Sequence, residues 1–198
     1  MKKIFLACLF IGIVVLQVPA QKTQGLTWDI QFQKGKERVP VPNSQTITVE
    51  SGQDFFIVIS PASDCFCYVL SQNSERNIFL LHDQPVKGEM KIRLDPLKTD
   101  ASPGTKTVYV IMSLAKQTKL EGFIKSYKSD LNSQRHANNL QGEIARLQEA
   151  ASGLGEPASA LIASGGTTRG ENQESATRFS GKNIYVRTIT IRTAPAVR

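Results

Sequence analysis

Short segments whose apolar residues recur at every second position constrain this chain more than any other feature. Leu26, Trp28, Ile30 and Phe32 alternate with Thr27, Asp29, Gln31 and Gln33, which is the pattern of a strand with one buried and one solvated face. Ile47 and Val49 mark a second strand beyond a loop holding Pro40, Pro42 and Asn43. Residues 55–59 are apolar on both faces, so they belong in the interior of a sheet. Residues 65–70 and 78–81 flank the polar Gln72-Asn73-Ser74-Glu75 and read as a hairpin. Met90, Ile92 and Leu94 alternate with Lys91 and Arg93, as an edge strand guarded by cations does. Residues 108–114 form another nearly continuous apolar strand. Ser51-Gly52-Gln53-Asp54, Ser60-Pro61-Ala62-Ser63-Asp64 and residues 100–104 supply the turns between them. Strands at this spacing predict a sandwich or barrel.

The composition changes at Lys116. Residues 116–152 lack proline and carry apolar residues at helical spacing. Leu120, Phe123, Ile124, Tyr127 and Leu131 share one face, which is expected to pack on the sheet, and Leu140, Ile144 and Leu147 share another. The two stripes are out of phase across Asn132-Ser133 and Asn138-Asn139, poor helix formers, so the expectation is one kinked helix or two shorter ones. Ser, Gly, Thr and charged residues dominate after the helical segment, and 153–183 is expected to be a flexible loop. Residues 184–193 are a strong β segment (Ile184-Tyr185-Val186-Arg187-Thr188-Ile189-Thr190-Ile191). An isolated strand is not stable in water, so it should return to the sheet. The resulting expectation is a mainly β chain. An antiparallel β-sandwich of about eight short strands, residues 25–115 plus 184–193, carries a helical insertion before the last strand.

Residues 1–20 have the three parts of a secretory signal peptide. Lys2 and Lys3 precede a 13-residue apolar run, residues 4–16, and Val18-Pro19-Ala20 offers small residues for cleavage. The run is shorter than the roughly 20 residues a membrane-spanning helix needs, so no stable membrane anchor is expected. A lipid-modified Cys8 is the weaker reading, because only seven residues precede it. Cleavage near Ala20 would leave a periplasmic or secreted protein of 178 residues whose formal charge falls from +7 to +5 as Lys2 and Lys3 depart. Acids are interleaved with that excess, and no basic stripe with aromatics calls for a nucleic-acid partner.

Two segments carry a resemblance. One is Asp64-Cys65-Phe66-Cys67-Tyr68-Val69-Leu70-Ser71 followed by Asn77-Ile78-Phe79-Leu80-Leu81. The other is Ser102-Pro103-Gly104-Thr105-Lys106-Thr107-Val108-Tyr109-Val110-Ile111-Met112-Ser113. Over about residues 50–115 the chain resembles the bacterial family called domain of unknown function 4384. It departs from that pattern at Asp64-Cys65-Phe66 and at Leu81-His82. The resemblance implies an all-β accessory or sensory domain of exported bacterial proteins, and it carries no catalytic residue.

Candidate chemistry centres on Cys65 and Cys67, whose side chains share a face of one strand. A hairpin turning symmetrically about Asn73 and Ser74 places His82 opposite Cys65, a soft-ligand patch that could suit zinc, though Asp83 points the other way and His136 lies in the helical part. A Cys65–Cys67 bridge would be strained, since alternate strand residues lie near the limit of disulfide reach. The simplest reading is two small buried hydrophobes. Only His82 or His136 could serve as the base of a nucleophilic triad. Gly165-Gly166-Thr167-Thr168-Arg169-Gly170 lacks the flanking strand, helix and Gly-Lys-Ser/Thr of a phosphate loop. No catalytic, cofactor or metal residue is therefore assigned. The expected function is a non-enzymatic binding or accessory module of the bacterial envelope. A scaffold that docks an envelope protein through the helical insertion is the alternative, and an exported hydrolase a more remote one.

Overall fold

The computed structural model describes residues 25–34, 37–41, 46–94, 97–98, 104–152, 158–164 and 174–195. The segment 1–20 expected to be a leader, and the glycine-containing segment 165–170, lie outside them. The described residues form three layers: two β-sheets face to face, and a pair of helices on the outer face of the second sheet.

The first sheet contains β1 (Leu26–Lys34), β2 (Glu37–Pro40), β4 (Asp54–Pro61), β7 (Ile92–Arg93), β8 (Leu97–Lys98), β10 (Ala158–Ser164) and β11 (Glu174–Lys182). Its order is β10-β11-β1-β4-β7, with β2 and β8 continuing the pairing along β1 and β4. The second sheet runs β3 (Thr46–Glu50), β12 (Ile184–Ala194), β9 (Thr105–Ser113), β5 (Cys65–Gln72) and β6 (Ile78–Val86). The period-two reading of β1 holds: Leu26, Trp28, Ile30 and Phe32 are all buried and Thr27, Asp29 and Gln31 are not. They meet Cys65, Cys67, Val69, Val108, Val110, Met112, Tyr185, Ile189 and Ile191 of the opposite sheet in one continuous core.

β5 and β9 read as apolar on both faces because the second sheet is covered on both. Cys67 and Val69 point into the sandwich, while Tyr68 and Leu70 point to the helices. The helices are α1 (Thr118–Ser129) and α2 (Gln134–Ser152). The break between them falls at Asn132-Ser133, whereas Asn138-Asn139 lie within α2. Asp130 Oδ1 accepts the Asn132 N–H at 3.2 Å, and Ser133 Oγ accepts the His136 N–H at 3.4 Å, in the manner of a helix N-cap. Leu120, Ile124, Tyr127, Leu140, Ile144 and Leu147 then bury against Tyr68, Leu70, Ile78 and Ile111.

Several expectations need correction. There are twelve strands among the described residues rather than about eight, because pieces as short as two residues pair along longer ones. The helical insertion precedes the last three strands rather than the last one. Residues 153–183 are not one loop: β10 and β11 lie within them, and β11 pairs with β1. The cause is composition, since Phe179 is the single large apolar residue of β11 and a polar strand lacks the usual signal. The sandwich is not wholly antiparallel, as β12 pairs with β3 in parallel while pairing antiparallel with β9. Leu131 does not pack on the sheet. It is 64% exposed in the turn between the helices.

The final segment returns to the sandwich as expected, and it does so as an interior strand of the second sheet, between β3 and β9. Only Asn183 separates β11 in one sheet from β12 in the other. The crossing is shaped by a bulge, where the β1–β11 register shifts between Leu26 and Trp28. Gly181 sits there at φ 100°, and a Cβ on Gly25 would lie 2.5 Å from the Gly181 backbone. Both positions therefore require glycine.

Candidate functional site

Cys65 and Cys67 share a face, as the strand spacing requires, and both are buried, unbridged thiols in the core. Burial, with Asp64 nearby, pushes the Cys65 thiol up to about 11, and burial pushes Cys67 further in the same direction. Neither is a thiolate at neutral pH, so neither is a nucleophile in the folded chain.

The expected juxtaposition of His82 with Cys65 is not found. Val86 stands opposite Cys65, and His82 stands opposite Val69. The hairpin turns about Glu75, closing with Gln72 opposite Ile78, and an extra residue at Leu81 shifts the register between Val69 and Leu70. Among the described residues no group of three or more His, Cys, Asp or Glu side chains is placed to hold a metal ion. His136 lies in the first turn of α2, on a different layer from His82.

His82 is nonetheless unusual. Its Nε2 is buried with no hydrogen-bond partner among the described residues, and burial lowers its proton affinity despite a ring hydrogen bond to the Gln84 backbone and the nearby Asp83 charge. The folded chain thus holds this proton less tightly than the unfolded chain, and unfolding takes a proton up. Stability from the neutral ring is present in full above the ordinary histidine range near 6.5 and is lost as pH falls through it toward the lower folded value. Urea midpoints measured at pH 7.5 and 5.5 should therefore fall on acidification. The slope for one proton is at most about 1.4 kcal/mol per pH unit, and His82→Gln should flatten it. An unchanged slope in that variant would contradict the assignment.

The helical layer is held to the second sheet by buried tyrosines. The Tyr127 hydroxyl accepts the Ile78 N–H at 3.3 Å and donates to the Ile78 carbonyl at 3.0 Å, satisfying the first residue of edge strand β6. Tyr68 Oη accepts the Gln117 N–H at 3.2 Å and donates to Glu121 at 2.9 Å. Glu143 on α2, only 2% exposed, takes Lys119 of α1 at 3.1 Å and Arg146 at 2.6 Å. These cations hold its carboxyl below the usual range.

Fixed this way, α2 stands beside the end of β5 and the middle of β9, leaving a cleft of about 210 Å³. Its lining is Gln72, Arg76, Tyr109, Gln141, Ile144, Ala145 and Gln148. Tyr109 Oη donates to Gln72 Oε1 at 3.1 Å, and Gln72 Nε2 donates to the Arg76 carbonyl at 3.4 Å. Gln148 Nε2 donates to Thr188 Oγ1 on the neighbouring strand at 2.7 Å. Burial raises the Tyr109 hydroxyl, so it stays protonated. The lining residues carry three amides, one hydroxyl and one guanidinium beside the apolar Ile144 and Ala145, and each amide nitrogen keeps an N–H beyond the bonds above. Such a set can orient a polar guest by hydrogen bonds. It carries no group that exchanges a proton near neutral pH.

Sequence reasoning did not reach this cleft. Gln141, Ala145 and Gln148 each follow by one position the Leu140, Ile144 and Leu147 stripe on α2, and nothing in the sequence placed them against the β5–β6 turn. No helix among the described residues is long and apolar enough to cross a membrane. No family model, no curated protein and no solved structure matches the chain.

Proposed function

We propose that the protein is an exported, non-enzymatic binding module of the bacterial cell envelope, and that it holds a small polar guest in the cleft between α2 and β9. The observation that carries this reading is the lining itself: amides, a hydroxyl and a guanidinium beside apolar carbon, the mixture that fixes orientation in binding sites. Export rests on the leader at 1–20, which directs the chain to the periplasm or beyond. The resemblance of residues 50–115 to domain of unknown function 4384 supports an accessory rather than catalytic role. The helical insertion supplies four of the seven lining residues. Docking of an envelope protein through the insertion would accordingly use the same wall.

The test fills the cleft. Ala145 is exposed on α2, so Ala145→Trp should occupy the space without disturbing the core. Ligand-observed saturation-transfer NMR would be run on the full chain with a panel of N-acetylated amino acids, N-acetylated hexosamines and short peptides. Some members should bind the native chain and lose at least tenfold in affinity for the variant. Binding that the tryptophan leaves intact, or no binding by any member, would defeat the proposal.

A further inference from the structure

Arg76 lines the cleft from the β5–β6 turn, and its backbone lies in the left-handed region at φ 68°. Turn positions of that conformation favour glycine or asparagine, and a long side chain there is strained. The turn nevertheless holds it fast. The Arg76 N–H donates to the Asn73 carbonyl at 3.0 Å, the Asn77 N–H to Asn73 Oδ1 at 2.9 Å, and Gln72 Nε2 grips the Arg76 carbonyl. Gln72 is in turn held by Tyr109 of the adjoining strand β9. Strained residues kept in place by their surroundings cluster at functional sites.

The charge on that side chain is not neutralised within the described residues. The neighbouring carboxylate, Glu75, accepts from Asn77 Nδ2 at 3.2 Å, and the ion pairs of the described residues involve other cations. No carboxylate lines the cleft. A guanidinium presents a planar fork that pairs with a carboxylate through two parallel hydrogen bonds. The glutamine amides beside it pair with peptide groups, which likewise both donate and accept.

We infer that the occupant carries a carboxylate next to amide groups, as the free C-terminus of a short peptide does, with Arg76 receiving the carboxylate. This rests on the binding reading of the cleft and adds the charge and class of its guest. An inorganic phosphate would satisfy Arg76 but leave the amides facing water.

Calorimetry on the full chain tests it with three probes: N-acetyl-glycyl-alanine as the free acid, the same dipeptide with an amidated C-terminus, and inorganic phosphate. Because Arg76 is exposed, the advantage of the acid over the amide should be modest, about two- to fivefold. Arg76→Gln should remove that advantage and leave the amide unaffected, and phosphate should bind more weakly than the acid. Arg76→Gly relieves the left-handed strain, so it should raise Tm while losing the same affinity for the acid. A merely structural arginine would not give that opposition. Equal binding of acid and amide, indifference to Arg76→Gln, tighter binding of phosphate, or no binding by either dipeptide each overturns the inference. If acid and amide bind equally and Ala145→Trp abolishes both, the cleft stands and the carboxylate alone is lost.

Discussion

A chain ending at Gly153 should show no cooperative unfolding transition and should bind a hydrophobic dye in the absence of denaturant. Its loss includes β12, which lies between β3 and β9, and β11, which pairs with β1. Phe179, Tyr185, Ile189 and Ile191 leave the core together. Burial of each is worth about 1.5–3 kcal/mol, and a domain of this size is stable by about 5–15 kcal/mol in total. The remaining strands would also present β9 and β1 as open apolar edges, which invite aggregation. Native-like cooperative melting of the truncated chain, followed by circular dichroism, would contradict the placement of the final strands.

Trp28→Ala should lower stability by about 3–5 kcal/mol, the cost of emptying a large aromatic site in a close-packed core. Trp28 is fully buried and ties the two sheets together. Its ring stacks on Phe179 at 4.8 Å in its own sheet and meets Tyr185 of the opposite sheet edge-on at 5.9 Å. Tyr185 in turn accepts the Lys182 N–H at 3.0 Å, beside the crossing between sheets. Trp28 Nε1 has no hydrogen-bond partner among the described residues, and an unpaired buried donor costs about 1–3 kcal/mol. Trp28→Phe discards that N–H along with part of the ring, so its loss should be well below that of alanine. Urea denaturation of the two variants separates the contributions. A loss below about 1 kcal/mol for Trp28→Ala would show that the trio does not hold the layers together.

The fold was legible wherever a residue's neighbours in sequence dictated its environment. Alternation in β1 announced its buried face, and the nearly continuous apolar run 108–114 announced a strand in the core, whereas 55–59, read as apolar on both faces, keeps Phe56 and Val58 only half-buried. The return of the final strand followed from the instability of a lone strand. β11 was not legible, because its inward positions are Thr177 and Phe179 and its outward Arg178 pairs with Asp29 at 2.7 Å only after the sheet forms. The turn of the β5–β6 hairpin was misplaced for a similar reason. Asn73 closes a turn around Glu75 and Arg76 through its side chain, which moves the pairing by three residues, and the bulged Leu81 adds one more, so His82 faces Val69 rather than Cys65. The cleft was the least legible feature. Its residues come from β5, a turn, β9 and α2, and their convergence depends on how Tyr127 and Tyr68 seat the helices.

One rival surface exists on the open face of the first sheet, where the Arg93 guanidinium lies 4.0 Å above the Phe56 ring. Backbone amide shift mapping on the full chain, titrated with N-acetyl-glycyl-alanine, distinguishes the two sites most directly. The shifts should concentrate at Gln72, Arg76, Tyr109 and residues 141–148, and they should vanish in Ala145→Trp. Shifts centred on Phe56 and Arg93, with the α2 face unmoved, would contradict the binding role given to the cleft.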